Sequence, residues 1–119
     1  MAGFRPLPAG STQWTKNVLG SEVTRLHTNG AVLTVVRGKA GDLVPAHGYS
    51  HGSVTYVVSG SIEVDGHVLR AGDGGSYEPG TGYYSVRFLE DSIYVVARTA
   101  EDQLTIPDIG ERAAAHLDA

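Results

Sequence analysis

The stretch "YVVSGSIEVDGHVLRAGDGGSYEPG", residues 56–80, decides the fold class. Short runs rich in Val, Ile and Tyr alternate here with turn signals: Gly60, Asp65-Gly66, Gly72-Asp73 and Pro79-Gly80. Runs this short bury one face of a β-strand but cannot complete the turns of a stable helix. Asp65-Gly66 is the strongest punctuation. A two-residue type I′ turn needs positive φ at both central positions, and Asp-Gly supplies it. The stretch therefore predicts strands over Val54–Val58, Ser61–Val64, His67–Leu69 and Gly75–Glu78.

Working outward, the same rhythm predicts Glu22–His27, Ala31–Arg37, Leu43–His47, Tyr83–Leu89 and Ile93–Arg98, with Asn29-Gly30 as a second two-residue hairpin turn. Nine short strands expose sheet edges unless the sheet closes on itself, so the expectation is all-β, a small barrel or jelly roll. Helical composition enters only at Ile109–Ala119, set off by Pro107, and predicts a short C-terminal helix. The chain then divides into a Pro/Gly-rich N-terminal arm (1–13), a barrel (14–98) and a tail with the helix (99–119).

Composition narrows the function classes. One domain fits in 119 residues, with 41% of them hydrophobic. The net charge of −4, with nine dispersed Lys and Arg, argues against a nucleic-acid surface or an anionic membrane surface. With no cysteine, disulfides, thiolate metal sites and thiol catalysis are excluded. The opening MAGFRPLPAGSTQW lacks the apolar core of a secretion signal, and no stretch reaches membrane-spanning length, so a cytoplasmic protein is expected.

Two histidines, His47 and His51, flank Gly48, Tyr49 and Ser50 ahead of a strand and suggest a metal site. Their bland alternatives are a satisfied core imidazole and an exposed turn residue. His27 is a third candidate, although its alternation with Val23 and Arg25 favours an outward face. His67 follows a hairpin turn and reads as surface, and His116 belongs to the tail helix. Six tyrosines against two phenylalanines suggest either half-buried strands or a cavity whose phenols bond a flat, oxygenated ligand.

Gly41, His47 and Gly60, then Gly72-Asp73 and Pro79, together with Trp14, Gly20, Leu26 and Val35–Gly38, resemble the cupin superfamily over most of residues 14–97. The resemblance implies a cupin jelly-roll barrel and a metal centre of three histidines and one glutamate. It is similar in particular to the cupins of zinc anti-sigma factors, aromatic-ketone dioxygenases and small polyketide-pathway proteins. Only His47 stands in register. Tyr49, Ser53 and Tyr84 occupy the other three ligand positions, so the usual set cannot form, and a bulge at Gly48–Gly52 would be needed to bring His51 inside.

Two function classes follow. The first is a metal-dependent enzyme, with zinc or iron held by His47, His51 and His27 and with Tyr49 and Tyr84 as catalytic phenols. It would act on a polyketide-like or phenolic substrate as cyclase, isomerase or dioxygenase. The second is a metal-free binding or sensor cupin with a tyrosine-lined cavity. The exposed sheet and the apolar arm around Phe4 and Leu7 predict a homodimer.

Overall fold

The computed structural model describes residues 3–107. The C-terminal helix expected over 109–119, and His116 with it, lie outside the described residues. The fold is all-β, with eleven strands in chain order. They are β1 (Thr15–Lys16), β2 (Glu22–His27), β3 (Ala31–Gly38), β4 (Leu43–Tyr49), β5 (Ser53–Ser59) and β6 (Ser61–Val64), followed by β7 (His67–Arg70), β8 (Gly74–Tyr77), β9 (Tyr84–Phe88), β10 (Ser92–Thr99) and β11 (Leu104–Thr105).

They form a six-stranded sheet, β1-β2-β3-β10-β5-β8, and a five-stranded sheet, β11-β4-β9-β6-β7, antiparallel at every pairing. Alternation explains which residues face in. Val23, Val36, Tyr94 and Val57 lie opposite one another across four strands of the first sheet, and all four are buried. In the second, Val44 lies opposite Val86 and Ile62 opposite Phe88, all four buried, and the two inner faces pack as one core. Among the described residues no helix is long and apolar enough to cross a membrane.

The turns divide into one expected and one not. At the β6–β7 turn Asp65 and Gly66 both take positive φ, 50° and 82°, as a type I′ turn requires. At the β2–β3 turn neither Asn29 nor Gly30 does. A three-residue connection, Thr28–Gly30, closes instead with the Thr28 N–H donating to the Ala31 carbonyl.

The six-stranded sheet runs one residue past Arg98, and the chain then folds back so that β11 pairs with β4 and buries Leu104 completely. On the outer face of that sheet, Leu26, Leu33, Ala97 and Val54 form one apolar row, and Val35, Val95 and Tyr56 form the next. Val54 and Tyr56 remain exposed.

Candidate functional site: a phenol-lined interior and the cleft beside it

A bulge on β4 positions His47. Val44 pairs with Val86 and His47 pairs with Tyr84, so three steps on β4 match two on β9. The extra residue falls at Pro45–Ala46, ahead of the Gly48–Gly52 stretch where a bulge would be needed to bring His51 inside, and it lets Val44 and His47 both point inward. His47 is 3% exposed, and its Nδ1–H donates to the Pro45 carbonyl at 2.7 Å. A carbonyl only accepts, so Nδ1 carries the proton and Nε2 keeps its lone pair.

Burial holds the imidazole neutral by lowering its pKa from the ordinary 6.5, and the bond to Pro45 offsets only part of that. The unfolded chain titrates near 6.5, so below that pH it takes up a proton that the folded chain refuses. Stability is then full above pH 6.5 and falls as pH drops, with a slope reaching at most ~1.4 kcal/mol per pH unit. Urea unfolding between about pH 6.5 and 5 should show this slope in the native protein and lose part of it in His47→Gln. An identical slope in both would contradict the placement.

Around His47 the rings are aromatic. Tyr84 lies 4.5 Å away centroid to centroid, Tyr49 meets it edge-on at 5.6 Å, and Tyr77 lies 5.2 Å beyond Tyr84. Burial pushes the Tyr49, Tyr84 and Tyr94 phenols well above their usual range, and neighbouring phenols add to the effect. These hydroxyls therefore stay protonated and act as hydrogen-bond donors.

The other candidates do not join His47. His51 lies outside the core with its side chain 52% exposed. Its backbone N–H donates to Asp102 Oδ1 at 2.6 Å, and its Nδ1 sits 2.9 Å from Ser50 Oγ. Ser50 Oγ also donates to Asp102 Oδ1 at 2.9 Å and accepts from the Gln103 N–H, so this cluster ties the return from β10 to the end of β4. His27 is exposed at the end of β2, opposite Val32. The outward reading of its face is corrected: Val23, which shares its alternation, is fully buried, so this is the inner face of β2.

Among the described residues no three His, Asp or Glu side chains gather as a group able to hold an ion. The four positions that the resemblance makes ligands carry one imidazole, two protonated phenols and the hydroxyl of Ser53, buried beside Tyr84. A zinc or iron centre needs several imidazole or carboxylate donors together, and these positions offer one imidazole and no carboxylate. This donor set does not fit such a centre.

The cleft lies beside this interior. β7 and β8 are the last strands of their sheets on one side, and between them a cavity of about 750 Å³ reaches inward to Tyr84, Val86 and Tyr94. Tyr77, Tyr83 and Thr55 also line it. Gly74 and Gly75 leave β8 bare along this wall, and a Cβ on Gly75 would meet nothing within 4 Å. The Tyr77 hydroxyl donates to the Gly82 carbonyl at 2.6 Å and fastens the Pro79–Gly82 turn over the rim.

Of the site residues expected from sequence, His27, His47, Tyr49, His51 and Tyr84, only Tyr84 lines the cleft. His47 stands behind it, and Tyr49 belongs to the packed core. Tyr77 and Tyr94, counted among the six tyrosines but ranked below Tyr49 and Tyr84, line the cleft as well, and alternation of Tyr94 with Val96 carries the signal for the latter. Arg98 shares that alternation. It is buried, its guanidinium lies 5.8 Å from the centre of the Tyr49 ring, and it donates to the Asp102 carbonyl. A second cavity of about 780 Å³ at the Phe88 end of the barrel is charge-balanced. Arg37 there pairs with Glu22 and stacks on Trp14, while Asp42 and Asp91 accept backbone N–H groups.

No family model matches the chain, and no curated protein does. Solved structures do. An RmlC-like cupin from Shewanella frigidimarina superposes with a TM-score of 0.68 at 21% identity, over 83% of this chain and 91% of that one. The fold is that of the cupins. An acetylacetone dioxygenase from Acinetobacter johnsonii superposes on this chain with a TM-score of 0.71 at 15% identity, over 92% of this chain and 81% of that one. A chain of the Rhodobacter sphaeroides SigE complex with the anti-sigma ChrR gives 0.65 at 22% identity. That match covers 76% of this chain and 51% of the other, so this chain spans about half the length of the other. At these identities the likeness is one of fold.

Proposed function

We propose that this cupin is a metal-free small-molecule-binding protein whose site is the tyrosine-lined cleft between β7 and β8. One observation carries the reading: a cleft of ligand size ends on Tyr84 and Tyr94, phenols that burial keeps protonated, where the resemblance to metal cupins implies a metal centre. Protonated phenols donate to a ligand's oxygen, and their ring faces stack on a flat body. A flat, oxygenated ligand of phenolic or polyketide-like character suits such walls. The enzyme reading, a cyclase, isomerase or dioxygenase, is less well supported. It needs a metal or a general acid–base group held inside the cleft; the buried phenols supply neither, and the cleft's imidazole, His67, lies at an exposed position.

Tyr84→Phe tests this by removing one hydroxyl and keeping the ring. Stability should fall by only about 1 kcal/mol. Affinity for a flat carbonyl probe such as acetophenone should fall about tenfold, the worth of one well-placed hydrogen bond. Unchanged acetophenone affinity would make Tyr84 core filler.

For assembly, we propose a homodimer through the apolar outer face of the six-stranded sheet, since monomers rarely leave so continuous an apolar face in water. Light scattering should give about twice the 12.5 kDa chain mass, and Tyr56→Lys should return it to the monomer. A monomer in the unmodified protein removes the assembly.

A further inference from the structure

The cleft's charge is one-sided. Among the described residues its lining includes two carboxylates, Asp65 in the β6–β7 turn and Glu78 just after β8, and no lysine or arginine; the one imidazole among them is His67. The cavity at the Phe88 end, by contrast, is lined by Lys16, Arg37 and Lys39 beside its acids. Four tyrosines stand among its uncharged walls: Tyr77 and Tyr84 lie 5.2 Å apart, tilted 41°, Tyr94 lies within, and Tyr83 exposes its ring at the rim.

An anion entering here would give up water to face two carboxylates with no lysine or arginine to compensate. A cation would gain from both, and also from ring faces whose quadrupoles present negative charge. The chain's net charge of −4 adds a field of the same sign.

We propose that the cleft selects an organic cation: a flat, oxygen-bearing body carrying a protonated or quaternary amine. The amine lies at the rim by Glu78, Asp65 and the Tyr83 ring, and the body reaches in to Tyr84. This rests on the reading of the cleft as a binding site and adds the charge of what it binds. It also sets this cleft against phosphorylated or carboxylated substrates, which the lining would repel.

Calorimetric titration of the full chain with three benzene-ring probes of different charge, benzyltrimethylammonium, acetophenone and phenylacetate, tests it. Benzyltrimethylammonium should bind on the order of tenfold more tightly than acetophenone, with phenylacetate weakest. Glu78→Gln and Tyr83→Leu, both at exposed positions, should each narrow the gap between the ammonium and acetophenone several-fold, with circular dichroism confirming the fold. Equal affinity for all three probes, or tightest binding of phenylacetate, overturns the charge selection and leaves the cleft as a ligand site. A gap untouched in both variants places the cation elsewhere and overturns the proposal. If none of the three binds, the proposal and the reading of the cleft as a site fall together.

Discussion

Gly60→Ala is expected to destabilise the protein by about 3 kcal/mol or more, the sum of a backbone and a packing effect. Gly60 joins β5 to β6 with φ at +79°, where an L-residue is strained by roughly 1 kcal/mol. A Cβ there would also run into the Ser92 hydroxyl and the Asp91 carbonyl. Neither yields easily. Ser92 Oγ accepts from the Ser61 N–H at 2.9 Å, lies 2.8 Å from the Glu90 carbonyl, and ties the β5–β6 corner to β10. Gly66→Ala is the matched control. Gly66 has the same sign of φ, at 82°, but nothing lies within 4 Å of its Cβ, so only the backbone cost of about 1 kcal/mol applies. Urea unfolding of both variants should separate them clearly, and equal losses would contradict the close approach.

Gly75→Leu is expected to weaken binding of acetophenone at least tenfold while changing stability by less than about 1 kcal/mol. Gly75 pairs in register with Thr55, which lines the cleft, so a side chain at 75 projects on the same side, into the open space. Its φ is not in the left-handed region, so leucine meets no backbone strain. A glycine within a strand has nothing to pack and lowers strand preference, so the replacement carries little intrinsic cost. Calorimetry for binding and thermal melting for stability are the two measurements. Undiminished acetophenone binding by a folded Gly75→Leu would move the site out of the cleft.

Much of the fold is legible in the sequence because local pattern and turn chemistry agree. Glu22–His27 and Ser61–Val64 are strands at their expected bounds, and Asp65-Gly66 makes the turn its residues prefer. Asn29-Gly30 has the same preference, but a wider connection closed by Thr28 prevails. The site is less legible, since its geometry depends on features without a local signature. One extra residue at Pro45–Ala46 decides that His47 faces in. The Ser50, His51 and Asp102 cluster joins residues 51 and 52 positions apart, which no window of sequence reveals. The cleft exists because β7 and β8 end their sheets side by side, a property of topology rather than of either strand.

The direct test of the central claim is the metal content of the protein, purified without chelator from cells supplied with zinc and iron. One neutral imidazole among protonated phenols predicts far less than stoichiometric metal, with no further loss in His47→Ala. Near-stoichiometric zinc or iron that disappears in His47→Ala would contradict the account and restore a metal centre at His47.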